Sequence, residues 1–372
     1  MSTVDASVST IYDKWAEALT GYSVEVKAGQ TVYISGGVAA TPLFQALHRS
    51  VIRKGAFPII VPILPGLATD LLTNGNDDQL TFISPLDQYE RTECDVNIRI
   101  MADTNTRALS GVDPARQSLL QGSRRELFNT YLQRASDGQL DWTLTLFPTD
   151  AYAQDAGMST EDFTDFVYRA CKLDLDDPVA AWKAVYDEQQ RLIDWLHGRS
   201  EVHLTGPDTD LTLSVAGRTW INSDARRNFP GSEVFTGPVE TSANGHIRFS
   251  YPVVVAGREI QDIRLRFADG KVVEATAATN EEYLIRQLDT DDGSRYLGEF
   301  AFGTNFGITR FTKNILFDEK IGGTIHMAVG SGYPDTGSAN RSAVHWDMIC
   351  DLRDGQVTVD GDVFHKGGQF TV

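Results

Sequence analysis

Glu319-Lys-Ile-Gly-Gly-Thr-Ile-His-Met-Ala-Val-Gly-Ser-Gly-Tyr333 and, after a Gly/Pro/Asp/Ser loop over residues 334–340, Arg341-Ser-Ala-Val-His-Trp-Asp-Met-Ile-Cys-Asp351 are the stretch around which the chain is organised. Residues 323–329 and 343–351 read as two strands, each with ionisable groups inside an apolar pattern. Side chains alternate between the faces of a strand, so His345, Asp347 and Ile349 share one face and Trp346, Met348 and Cys350 the other. A carboxylate on a half-buried strand is costly unless it is paired, hydrogen-bonded or bound to a metal, and an imidazole beside it on the same face suggests the last. His326 repeats the pattern on the neighbouring run. The plainer alternative is a pair of strand histidines satisfied by hydrogen bonds.

Outward from this stretch, the second half of the chain keeps one texture. Short alternating runs at 202–204, 211–215, 246–255, 258–267 and 271–277 are separated by turns at Gly206-Pro207, Ala256-Gly257 and Asp269-Gly270, and similar turns recur at Asp354-Gly355 and Asp360-Gly361. This half is expected to be an α+β domain with an antiparallel, barrel-like β core. One helix over 280–288 interrupts it, with Glu281 and Glu282 in a first turn whose dipole favours acids.

The first half differs. A strand over 30–35, an amphipathic helix over 41–54 and an apolar strand over 57–63 make a strand, helix, strand unit, which predicts an α/β layer. Helical spacing at 10–19, further strands at 95–101 and 141–147 with helix between them, and a long helix over 178–195 that stops at Gly198 complete it. Two domains are therefore expected, 1–198 and 199–372. The Gly36-Gly37 pair before a helix could cradle a phosphate, but it carries neither G-x-G-x-x-G nor a Walker lysine.

Composition narrows the functional classes. The 372 residues are 41% hydrophobic with a formal charge of -18, from 51 acidic against 33 basic residues, which opposes binding to nucleic acids or anionic membranes. Cys94, Cys171 and Cys350 have no paired spacing, so neither a disulfide framework nor a thiolate zinc site is expected. Residues 1–13 lack the basic start and apolar core of a signal peptide, and no run reaches the length of a membrane span. The cytoplasm is the expected location.

Standard nucleophile motifs are absent, with no G-x-S-x-G and no H-E-x-x-H. Carboxylate and imidazole remain. Glu233 lies in a loop bracketed by Gly/Pro turns, and Glu299 is surrounded by apolar residues in Leu-Gly-Glu-Phe-Ala-Phe-Gly. Together with His326, His345 and Asp347 they form a set that suits zinc, cobalt or manganese. Five ligands exceed one tetrahedral site and match two divalent ions that share a carboxylate and a bridging water.

The strings Gly231-Ser-Glu-Val-Phe-Thr-Gly-Pro238, Leu297-Gly-Glu-Phe-Ala-Phe-Gly-Thr-Asn305, Leu316-Phe-Asp-Glu-Lys-Ile-Gly-Gly-Thr-Ile-His326 and Ser342-Ala-Val-His-Trp-Asp-Met348 resemble the thermophilic metallo-aminopeptidase family of the aminopeptidase T type. His203-Leu-Thr-Gly-Pro-Asp-Thr-Asp-Leu211 is also similar. The resemblance implies metal ligands at Glu233, Glu299, His326, His345 and Asp347, and an active-site tyrosine at Tyr333. It further implies an α/β domain followed by a β-rich metal domain, a homodimer, and peptide substrates with a free N-terminus. Asp318-Glu319 aligns less closely with the family's remaining acid, and Glu319 is read as a further ligand or the catalytic base, with Glu299 as the other base candidate. Other readings of the same residues are a metal-dependent amidase or esterase, an Fe(II) oxygenase built on His326, His345 and Asp347, and a binding protein with structural metals.

Overall fold

The computed structural model describes residues 10–255 and 258–372. The polar start and the Ala256-Gly257 turn lie outside them, apart from residues 10–13. The chain divides into two compact units, one running up to Trp182 and including Ala225–Phe229, the other made of Lys183–Asp224 and Pro230–Val372. The division falls inside the helix Pro178–Leu196, so residues 183–198 group with the second unit.

The first unit carries a five-stranded parallel sheet in the order Phe57–Ile63, Thr31–Gly37, Val96–Met101, Asp141–Leu146, Asn228–Phe229. Parallel neighbours need crossover connections. The helix Thr41–Arg53 supplies the first, starting with Pro42 in its first turn and burying Leu43, Phe44, Leu47 and Val51. Gly36 and Gly37 belong to the strand itself. A Cβ on Gly36 would stand 2.2 Å from the Ile100 carbonyl oxygen and one on Gly37 2.4 Å from that of Ala102, so strand contact accounts for both glycines and a phosphate cradle is not needed.

The second unit has an eight-stranded antiparallel sheet ordered Lys271–Thr276, Ile263–Ala268, Asn244–Phe249, Thr209–Ser214, Glu201–Gly206, Gln356–Val359, Asp362–Lys366, Gln369–Phe370. Among the described residues its edge strands do not pair with each other, so the sheet is open and the expected barrel is corrected to an open sheet. Short strands and turn signals are common to both architectures, and closure depends on pairing between distant edges.

A five-stranded antiparallel sheet lies in the same unit, ordered His345–Asp351, Thr324–Gly330, Leu297–Gly303, Glu233–Thr236, Ile221–Ser223. Its Phe300, Phe302, Met327, Trp346 and Met348 join Val202, Leu204, Leu211 and Phe364 of the eight-stranded sheet in one hydrophobic core. Period-2 alternation sends Glu299, His326 and Asp347 to the other face. No helix among the described residues is long and apolar enough to cross a membrane.

Candidate metal centre

Register assembles the site. Ala328 lies opposite Glu299 on one side and Asp347 on the other, so a small residue separates the two acids. One step along, His326 lies between Ala301 and Ile349. The pairing between Leu297 and Glu299 contains a register shift, and such irregularities re-aim side chains. Gly298 sits at that shift, where a Cβ would be 2.4 Å from the Ser331 carbonyl oxygen, leaving space only for glycine.

That carbonyl sets the orientation of a ligand. His345 Nδ1 lies 2.7 Å from the Ser331 oxygen, and His326 Nδ1 lies 2.9 Å from the Glu319 oxygen. A carbonyl only accepts, so each Nδ1 carries the hydrogen and each Nε2 is turned toward the carboxylates. Glu299 sits between the two rings, with Oε1 3.2 Å from His326 Nε2 and Oε2 3.5 Å from His345 Nε2. Glu233 Oε2 is 3.6 Å from His326 Nε2, and Asp347 Oδ2 is 3.6 Å from His345 Nε2.

All six ligand candidates of the sequence reading therefore converge. Their ligand atoms form three overlapping groups, Glu233 with Glu299 and His326, Glu299 with His345 and Asp347, and Glu319 with His326 and Asp347, each within 4.8 Å. Glu233 Oε2 and Asp347 Oδ1 are buried with no hydrogen-bond partner, a costly state that a cation would relieve. Tyr333 is also present, its ring edge-on to His345 with centroids 5.2 Å apart and to Phe235 at 5.5 Å.

The electrostatics have two causes, burial and a surplus of negative charge. Burial opposes protonation of His326, but Glu299, Glu233 and Asp347 outweigh it and raise the ring to about 10. His345, with its side chain 29% exposed, is raised in the same direction, partial loss of water being overcome by Asp347 and Glu299. Tyr333 is 46% exposed, and partial loss of water around its phenol, with Glu299, Asp347, Glu319 and Glu233 adding to it, keeps the phenol protonated. Burial also raises Glu319, and Asp347 adds to it against the pull of Lys320 and His326.

Lys320 escaped the sequence reading. It is fully buried and pairs with Glu319, with its Nζ also 3.7 Å from Glu233 Oε1. A lone lysine beside a glutamate ordinarily marks a solvated turn, so sequence carried no signal for it. Gln189 was missed as well. Buried on the helix Pro178–Leu196, it donates to the Glu233 carbonyl oxygen at 2.9 Å and accepts from the Thr304 hydroxyl at 3.0 Å, which steadies the Glu233 strand. Outside the centre, half-buried His203 pairs with Asp210 at 2.8 Å and His365 is buried in the eight-stranded sheet.

The thermophilic metalloprotease (M29) family matches residues 9–370. The chain belongs to this family. It is 28% identical over 413 aligned residues to Aminopeptidase 2 of Geobacillus stearothermophilus, covering 95% of this chain and 96% of that one. It is 27% identical over 401 residues to Aminopeptidase T of Thermus thermophilus, covering 96% of each. Among solved structures, wild-type AmpT from Thermus thermophilus superimposes with a TM-score of 0.84 at 24% identity, over 97% of this chain and 99% of that one. A dihydroxypyridine dioxygenase from Pseudomonas putida shares the fold with a TM-score of 0.58 at 14% identity, over 97% of each chain. Membership of the M29 metalloproteases implies a divalent metal. The paired Nδ1–H anchors and the partnerless carboxylate oxygens of this centre fit one.

Proposed function

We infer that this chain is a metal-dependent aminopeptidase that removes N-terminal residues from peptides, with its catalytic residues in the second unit. The observation that carries the reading is Glu299, which offers one oxygen to each of two histidines whose Nδ1 atoms are already occupied. Glu233, Glu299, His326, His345 and Asp347 would hold two divalent ions, zinc, cobalt or manganese, with Glu299 shared. When bound, such ions supply an activated water and polarise the scissile carbonyl.

The chain's own groups do the rest. Glu319 has one oxygen held by Lys320, and its other oxygen takes a proton from the attacking water and returns it to the leaving amine. Glu299 is the alternative base, but its two oxygens already face the histidines. Tyr333, held protonated, donates a hydrogen bond to the developing oxyanion. The substrate ammonium pairs with the carboxylates of Glu233, Glu299 or Glu319 through a charge-assisted hydrogen bond. An Fe(II) oxygenase triad would leave Glu233 and Glu299 without a task. Homodimerisation and a cytoplasmic location belong to the same reading, and sedimentation velocity checks the first.

A matched pair of peptides tests the activity. The free N-terminal peptide should release one residue at a time by mass, and its N-acetylated copy should resist. Internal cleavage of the blocked copy at a comparable rate would leave the metal centre standing and overturn the aminopeptidase assignment.

A further inference from the structure

We propose that Lys320 is a resident cation that makes the two metal positions unequal, a tight one at Glu299, His345 and Asp347 and a weak, exchangeable one on the side of Glu233 and Glu319. The inference rests on the metal-enzyme reading above. Lys320 is 0% exposed, and among the described residues its ammonium forms ion pairs with two of the centre's carboxylates, Glu319 and Glu233, with Asp347 acting on it more weakly. Each of those acids belongs to one of the three ligand groups, and both groups depend on His326. The third group, Glu299 with His345 and Asp347, contains no acid that forms an ion pair with Lys320 among the described residues.

The consequence is electrostatic. A dication entering beside Glu233 or Glu319 meets a carboxylate already partly neutralised and a fixed positive charge nearby. Screening by water is weak in a buried site, so that repulsion persists. A dication at Glu299, His345 and Asp347 meets acids that have no lysine or arginine ion-pair partner among the described residues, and a histidine whose Nε2 is turned toward them. Lys320 also holds Glu233 by Oε1, which leaves the partnerless Oε2 as the atom turned to His326. It is thus a positioning residue as well as a counter-charge.

Calorimetric titration of the chelated full-length protein with Co²⁺ tests this. Two ions should bind the wild type with affinities at least roughly tenfold apart. The separation should shrink in Lys320→Met, which keeps most of the length of the side chain and removes its charge, and should persist in Lys320→Arg. A second ion that binds only in Lys320→Met counts with that outcome. Equal affinities in the wild type, or an unchanged pattern in Lys320→Met, overturn the role of Lys320 and leave the aminopeptidase reading intact. No Co²⁺ binding in any form overturns both. Removing one member of a buried ion pair can unfold a protein. Circular dichroism therefore screens Lys320→Met first, and Lys320→Gln is titrated in its place if it is unfolded.

Discussion

The eight-stranded and five-stranded antiparallel sheets of the second unit each bury a histidine, and the two rings are driven in opposite directions. His326, in the five-stranded sheet, is 1% exposed, and His365, in the eight-stranded sheet, is 0% exposed. Burial disfavours the protonated ring at both. At His326 three carboxylates overcome it and raise the ring to about 10. At His365 the surroundings include the rings of Phe302 and Phe370, and burial pushes it down to about 4, a backbone contact at Gly368 offsetting only part of the shift. Equal burial therefore says little about the role of a histidine. The charges that face the ring decide it.

The largest expected effect comes from removing the charges that separate the two cases. His345→Ala and Asp347→Asn should each lower metal content, measured by elemental analysis, and reduce turnover by more than roughly a hundredfold, beyond what outer-shell changes cause. The first unit should stay folded by circular dichroism, because its core belongs to a separate sheet. Full activity at native metal stoichiometry in either variant would remove the site.

Tyr333→Phe should act on the rate alone. Loss of one oxyanion donor costs on the order of a hundredfold to a thousandfold in kcat. KM and metal content should hold, the pattern of an interaction made only in the transition state. A change of about tenfold or less would show that the ring packs on His345 and Phe235 without taking part in the chemistry.

The smallest effect on turnover belongs to His365, and there the measurement is stability. The folded ring stays neutral down to about 4, whereas an unfolded ring takes up its proton near 6.5. The contribution is complete above the unfolded value and is lost as pH falls from there through about 4, up to about 3 kcal/mol in all. Urea unfolding of the chelated wild type and of His365→Leu across that window should show a shallower acid loss in the variant. Parallel curves would mean that His365 does not resist protonation, and the contrast with His326 would fail.

The faces of the site strands and the layer of the first unit are legible in the sequence. Strand alternation alone places His345 and Asp347 on one face, because the period of side-chain direction is fixed at two. The strand, helix, strand unit of residues 30–63 follows from apolar spacing. Short segments were harder. The helices Leu67–Asn74, Asp77–Thr81 and Pro85–Thr92 bury little, and their best signals are the capping boxes at Asn76 with Gln79 and Ser84 with Asp87.

By itself the sequence determined the donor types, their distribution over the runs around 233, 299, 326 and 345, and the face that each strand offers. Only the tertiary structure decided that these runs are neighbours, because the order of strands in a sheet depends on pairing between segments far apart in the chain. It decided that Glu299 and Asp347 flank Ala328, that the eight-stranded sheet is open, and that two carbonyls hold the histidine Nδ1 atoms. It also turned Lys320 inward. A charged side chain beside Glu319 is equally compatible with water and with the interior, and only the fold, by placing Glu233 within 3.7 Å of it, provides the counter-charge that makes its burial tolerable.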